Sequence, residues 1–303
     1  MTGIGRKGAL ETLACESVET LGDLVSLGVM ADRQQRREIS AQTLQACVDG
    51  IAHAEPVGRP GGSKRTFRAT WRGQVVAVQV LEESLPERLE REITALRRVN
   101  SPYVPRLLEV AELKESGETF PVFICEFIEG CTLEEKVSRG DTYADSGSLK
   151  GLARDVALGL EAIHSNDLVH RDIKPGNIII RKETGRAVIV DLGIAKHLDR
   201  TTITRLQPGT HGWAAPEQIL NQRVDKRADL FCLGLLLHYA AVGTHPFSGR
   251  EMNRNIAEGV PRITLEASHG IAWKKLLEWL LGKQPYERPR GIDAVLRHME
   301  GMT

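Results

Sequence analysis

The sequence carries no excess of either charge: Lys plus Arg total 40 and Asp plus Glu total 40. A balanced chain has no overall field to gather a polyanion or an anionic lipid surface, which argues against nucleic acid and membrane as partners. No run approaches the ~18 apolar residues that a bilayer span requires. The N-terminal stretch also lacks the continuous apolar segment of a secretory signal. Cysteines are few: five (Cys15, Cys47, Cys125, Cys131, Cys232), odd in number and scattered through mostly apolar surroundings. No CxxC and no Cys/His spacing points to a metal site, so free thiols in a reducing compartment are expected rather than disulfides. These absences predict a soluble, cytoplasmic protein.

What is present is organised around residues 170–177, HRDIKPGN, followed by Ile178, Ile179 and Ile180. The apolar triplet predicts a short buried strand, so the polar residues before it form a loop held by core. That loop brings together a carboxylate (Asp172), a cation (Lys174) and an amide (Asn177). Asp172 can accept or orient a hydroxyl proton, Lys174 can neutralise charge on a moving phosphoryl group, and Asn177 can give an oxygen to a metal ion. In this stretch the sequence resembles the eukaryotic-type serine/threonine protein kinases. The resemblance implies an α+β, two-lobed fold: a small β-rich N-lobe with one helix over residues 51–130, and a large helical C-lobe over 131–303. A chain of 303 residues has ample core for such a domain.

Residues 1–50 read as a separate helical extension. Leu10, Leu13, Leu21, Leu24, Val25 and Val29 give a ragged stripe broken near Gly22 and Gly28, and Ser40 can cap a helix carrying Leu44, Val48 and Ile51. Two readings stay open: a winged-helix-like appendage that binds DNA or a partner, and a plain extension docked on the following domain. From Ile51 the pattern turns to strands. A Gly58, Pro60, Gly61, Gly62 cluster precedes a strand from Arg65 to Trp71, an Arg72-Gly73 turn and the apolar run Val75 to Leu81. The resemblance makes the cluster a phosphate-covering loop with Gly61 and Gly62 at the nucleotide, although the regular GxGxxG is missing and Pro60 removes a donor.

A second absence follows. Val76-Ala77-Val78-Gln79 stands where the family has VAIK, and the lysine is replaced by Gln79. The glutamate that this lysine pairs with in the family is present as Glu92, on a predicted amphipathic helix from Leu85 to Arg98 with Leu89, Ile93 and Leu96 on one face. If Arg72-Gly73 centres a two-residue hairpin, paired positions sum to 145. Gln79 then faces Thr66, and Lys64 lies two positions along on the same face, within roughly 7–8 Å. Arg68 is the other diagonal cation. This arrangement resembles the with-no-lysine kinases, which supply the phosphate-binding lysine from the second strand. Lys64 is thus a catalytic and nucleotide-binding candidate, the alternative being a solvated loop lysine.

Further along, strands are expected at Val104–Glu112 and Phe120–Phe127, a helix through Leu149, Leu152, Val156, Leu160 and Ile163, a strand at 188–190 and a last helix over 292–299. The resemblance assigns adenine contacts to the backbone of Glu126 and Ile128, Cys125 as gatekeeper, Ala77 and Ile179 above and below the ring, and Gly130 as the interlobe hinge. Asp191-Leu192-Gly193 matches the metal-binding DFG motif. Asp191 and Asn177 are hard oxygen ligands, suited to Mg²⁺ or Mn²⁺ accompanying ATP. Thr201, Thr202 and Thr204 fall in a stretch resembling an activation loop, with Arg171 to receive a phosphate. Gly209-Thr210 and Ala215-Pro216-Glu217 resemble its end, and Arg288 is expected to pair with Glu217. The implied activity is ATP-dependent transfer of the γ-phosphoryl group to serine or threonine of a protein, with autophosphorylation. The alternative is a pseudokinase acting as a nucleotide-binding scaffold, supported by Gln79 and the irregular glycine loop. Small-molecule kinases of the aminoglycoside type lack the GT…APE segment. The sequence names no protein substrate and no oligomeric state.

Overall fold

The computed structural model describes residues 39–58, 64–81, 89–191, 212–249 and 251–302. The chain divides into two compact units, Met1–Ser40 and Ala41–Thr303, and of the first only Ile39 and Ser40 are described. The second unit opens with helix α1 (Ala41–Cys47), which buries Leu44. The spacing of Leu44, Val48 and Ile51 predicts a longer helix. Gly50, at φ 77°, turns the chain instead, and Ile51 opens strand β1 (Ile51–Pro56).

Alternation builds the next two strands. In β2 (Lys64–Trp71) Phe67, Ala69 and Trp71 are buried, and in β3 (Gln74–Leu81) Val76, Val78 and Val80 are fully so. The residues between them, including Lys64, Thr66, Ala77 and Gln79, take the opposite face. Arg72 and Gly73 both have positive φ, 49° and 80°, as a two-residue hairpin turn of matched twist requires. The register follows: Thr66 faces Gln79 and Lys64 faces Leu81. Helix α2 (Leu89–Arg98) buries Leu96 and packs Ile93 on the core. Strands β4 (Leu107–Glu115) and β5 (Glu118–Glu126) complete an antiparallel sheet of order β1-β2-β3-β5-β4. β4 starts three residues later than the apolar pattern predicts, because Val104 is held in an isolated bridge with Ser101.

Beyond the sheet come β6 (Gly130–Thr132), α3 (Leu133–Ser138) and the long α4 (Ser146–His164). Asp145 caps α4 by accepting from the Ser148 N–H at 2.9 Å, and Leu149, Leu152, Val156, Leu160 and Ile163 form its buried face. β7 (Ile178–Arg181) and β8 (Ala187–Ile189) join β6 in a small second sheet. The rest is helical: α5 (Pro216–Ile219), α6 (Arg227–Val242), α7 (Met252–Glu258), α8 (Gly270–Leu280) and α9 (Ile292–Glu300). α6 is apolar nearly all round and buried accordingly. One apolar cluster runs from Leu81 and Phe123 of the large sheet through Leu133 and α4 to α6 and α8.

One buried charge pair links α5 to the chain ahead of α9. Arg288 and Glu217 form a two-pronged ion pair at 2.7 and 2.8 Å, both essentially without solvent contact. The remaining guanidinium N–H groups donate to the carbonyls of Gly282, Arg227 and Lys283, so all five donors are satisfied. Removing one partner strands the other in the core. Arg288→Ala is therefore expected to lower stability by about 3–5 kcal/mol, read as a fall in the urea midpoint. An unchanged midpoint would show that the pair does not anchor α5.

Candidate active site

The loop at 170–177 is held from beneath by a carboxylate of α6. Asp229 Oδ2 accepts from the His170 N–H (2.8 Å) and from His164 Nε2 (2.8 Å), while Oδ1 accepts from the Arg171 N–H (2.8 Å). Burial alone would raise the Asp229 pKa. The hydrogen bond from His164, the charges of His164 and His170 and the Arg171 N–H outweigh burial and hold it below the usual carboxylate value. Arg171 sits at φ 62°, a left-handed conformation that costs a non-glycine residue ~1–3 kcal/mol and persists where its surroundings impose it. The Asp172 N–H then donates to His170 Nδ1 (3.2 Å).

This frame brings three of the expected side chains into contact. Asn177 Nδ2 donates to the Asp172 carbonyl (2.8 Å) and to Asp172 Oδ2 (2.9 Å), and Lys174 Nζ lies 3.0 Å from the same Oδ2. Asp172 is 5 % exposed, so its orientation is fixed rather than averaged by solvent. The Val190 N–H donates to the Asn177 carbonyl (2.9 Å), which places Asp191 beside the loop, itself at a positive φ of 67°. From the other side, β2 contributes Lys64, whose Nζ forms an ion pair with Asp191 Oδ1. Only 22 % and 16 % of these two side chains are exposed.

The remaining described candidates lie on the two sheets and the chain between them. Gln79 and Ala77 lie on the same strand face as Lys64, and Ala77 pairs with Cys125 across β3 and β5. Burial pushes the Cys125 thiol up to about 12, with the Lys64 charge opposing and the Asp191 charge adding, so a neutral thiol stands close to the ion pair. Glu126 ends β5; its N–H donates to the Arg106 carbonyl, and its carboxylate takes Arg181 Nη2 at 3.2 Å. Ile128 is buried, and Ile179 pairs with Thr132 and Val188 in the small sheet. Gly130 answers to close approach: a Cβ there would collide with the Ile180 carbonyl oxygen and come within 2.9 Å of Ile179 Cγ2. Arg68 is not drawn to the ion pair; its guanidinium lies over Phe127, 5.4 Å from the ring centroid.

Gly61, Gly62, Leu192, Gly193, Thr201, Thr202, Thr204, Gly209 and Thr210 lie outside the described residues, as does the side chain of Glu92 in α2. Among the described residues no cluster of three or more His, Cys, Asp or Glu could hold a metal ion. Mg²⁺ in general keeps several waters and takes one or two protein oxygens beside substrate phosphates, so it needs no such cluster. Asp191 has carboxylate oxygens of that hard type, one of them paired with Lys64. The Asn177 amide nitrogen is engaged by Asp172, which leaves its oxygen out of that bond.

The sequence pattern that defines the protein kinase domain matches residues 55–299. The chain belongs to that family. The kinase domain has the two-lobed architecture expected of it, with the five-stranded sheet in the N-lobe and α3 to α9 in the C-lobe. It is similar to the DNA damage-responsive serine/threonine-protein kinase RqkA of Deinococcus radiodurans, 31% identical over 256 residues, covering 79% of this chain and 37% of the relative. It is also similar to the probable serine/threonine-protein kinase PknB of Bifidobacterium longum, 31% identical over 192 residues, covering 58% of this chain and 28% of that one. Serine/threonine-protein kinase PknB of Mycobacterium leprae is 31% identical over 183 residues, covering 57% and 29%. The chain spans about a third of the length of these curated relatives.

Two residues of the kinase domain's loop support were not assigned from sequence. Asp229 had a visible signal, a carboxylate directly ahead of the apolar run Leu230 to Leu237 in a helix buried nearly all round. Gln218, which bonds the Arg171 carbonyl, had none.

Proposed function

We propose that the chain is an ATP-dependent serine/threonine protein kinase that transfers the γ-phosphoryl group to hydroxyls of a protein substrate and autophosphorylates within Thr201 to Thr204. The observation that carries the reading is the contact of Asp172, Lys174 and Asn177 on one anchored loop, with the Lys64–Asp191 pair tied to it through Val190. In this reading Asp172 orients the acceptor hydroxyl and takes its proton. Lys174 offsets negative charge on the transferring group. Asp191 and Asn177 hold Mg²⁺ or Mn²⁺, which would neutralise phosphate charge when bound. Ala77, Ile179 and the backbone of Glu126 and Ile128 bound the adenine site, and Gly61 and Gly62 cover the phosphates.

Lys64 takes the part of the missing strand-three lysine. Its support is the ion pair with Asp191 and the register that sets it diagonal to Gln79, where the family's lysine would stand. Gln79 then remains a neutral neighbour of the phosphates, and Glu92 is the carboxylate that the resemblance pairs with the family's lysine. A cytoplasmic setting is supported by the thiols: Cys47, Cys125, Cys131 and Cys232 are in the reduced form. No described helix is long and apolar enough to cross a membrane. Residues 1–50 remain the candidate docking segment for a partner or for the domain itself.

The test is transfer of label from γ-labelled ATP, with Mg²⁺ or Mn²⁺, to a generic basic protein and to the chain itself. Incorporation on serine and threonine is expected. ATP binding with no transfer to any acceptor would overturn the proposal.

A further inference from the structure

Gln218 lies next to Glu217 in α5, and nothing in the reading above gives it a part. Its side-chain amide joins two segments. Nε2 donates to the carbonyl oxygen of Arg171 (3.0 Å), and Oε1 accepts from the backbone N–H of Ala215 (3.0 Å). A primary amide suits this place because it offers a donor and an acceptor at once. The Arg171 carbonyl belongs to the peptide unit that leads into Asp172, and the N–H of that same unit donates to His170 Nδ1. The plane carrying Asp172 is thus pinned at both edges, with Gln218 holding one. Asp229 holds the preceding Arg171 N–H, and the left-handed φ of Arg171 is the conformation these bonds impose.

We propose that Gln218 is a positioning residue for Asp172, coupling the placement of the Gly212–Ala215 stretch to the peptide that carries the catalytic carboxylate. The path is short: Ala215 N–H, the Gln218 amide, the Arg171 carbonyl, Asp172. A shift of Ala215 turns the amide and tilts the peptide, moving the carboxylate relative to Lys174 and Asn177. Glu217, locked by Arg288, fixes α5 behind the amide, so the motion is passed forward to the loop. The path runs through main chain at Arg171 and does not use its guanidinium. Its effect on turnover rests on the kinase reading; its effect on the loop does not.

Two variants of equal length separate positioning from packing. Gln218→Met removes both bonds to the backbone and the weak S–H donation from Cys232. Gln218→Glu keeps an acceptor for Ala215 but sets a carboxylate oxygen against the Arg171 carbonyl; once protonated, it regains a hydroxyl donor toward that carbonyl. The ionisable groups around the amide are His170, Arg171, Asp172 and Asp229 from the loop and α6, Glu217 and Arg288 behind it, and Cys232, whose Sγ is 3.9 Å from Oε1. Expressing each rate as a ratio to wild type at the same pH cancels their shared titration.

The expected result for Gln218→Met is a fall in kcat of about tenfold to a hundredfold, as small misplacements of catalytic groups produce, with KM for MgATP within about twofold. The Gln218→Glu deficit should shrink as pH is lowered from about 8 to about 6, while the Gln218→Met deficit stays flat. Hydrogen–deuterium exchange should accelerate at Arg171 and Asp172 in Gln218→Met and remain unchanged in α4. Wild-type kcat together with wild-type exchange in both variants would overturn the proposal. So would a loss that tracks unfolding and shows no pH recovery in Gln218→Glu, which makes the residue structural. If wild type itself transfers no phosphoryl group, the kinase reading fails alone, and the exchange measurement still decides whether Gln218 holds the loop.

Discussion

Asp172→Asn is expected to abolish phosphoryl transfer while leaving nucleotide binding largely intact. The substituted amide keeps the shape of the carboxylate but accepts no proton, and removal of a positioned general base typically costs 10²–10⁴ in rate. The local geometry sharpens the expectation. Oδ2 of Asp172 faces two donors, Asn177 Nδ2 and Lys174 Nζ, so the new amide must turn its single oxygen toward them to avoid opposing N–H groups. Its NH2 then points to the other side, where a substrate hydroxyl would meet a donor instead of an acceptor. Lys64 and Asp191 are untouched, so nucleotide affinity should hold. Initial rates with labelled ATP and a fluorescence titration of nucleotide check both halves. Turnover within about threefold of wild type would remove Asp172 from the mechanism.

Lys64→Ala is expected to lose about 10²–10³ in rate, the usual cost of removing one preorganised charge-stabilising group. Gln79→Ala should lose far less, although Gln79 occupies the position where the family carries its lysine. Arg68→Ala is the control. Its guanidinium already lies over Phe127, and its rigid fork is a poor substitute for a lysine's point charge. Because Thr66 faces Gln79, positions 64 and 79 are cross-strand diagonals on one face. Introducing Gln79→Lys into Lys64→Ala should therefore restore part of the activity by returning the cation to strand three. The idea fails if Lys64→Ala turns over like wild type. It fails equally if Arg68→Ala carries the loss and the Gln79→Lys rescue does nothing.

Much of this was legible because it is local. The turn at Arg72-Gly73 sets its own register, so the positions opposite one another in β2 and β3 follow from counting alone. The loop at 170–177 was legible for a similar reason: eight residues in a row, ended by an apolar strand. The pairing of Glu217 with Arg288 was expected from the family resemblance, and the structure holds them in contact. What was hidden is long-range. Asp229 and the loop it anchors are 58 and 59 residues apart, and Gln218 reaches Arg171 across 47. The apolar run after Asp229 announces burial but not the partner, and nothing around Gln218 announces either, since a glutamine near the start of a short helix usually faces water. The continuation of the α1 pattern into Ile51 misled for the opposite reason: helical spacing persists by chance over three residues, and a glycine at positive φ ends it.

The two-residue turn between β2 and β3 has a consequence for how such a site can change. A hairpin in fixed register is a ruled surface on which two different stretches of sequence share one address in space. A charge can move from strand three to strand two, changing its place in the chain and not its place in the molecule. The turn is the index that keeps the two columns aligned. One residue inserted between Arg72 and Gly73 would shift one column by a single step and send every alternate side chain to the far side of the sheet. Lys64 would then point away from Asp191 with its own sequence neighbourhood intact. The chemistry assigned to Lys64 is thus guarded by two residues at the far end of the hairpin, which take no part in it.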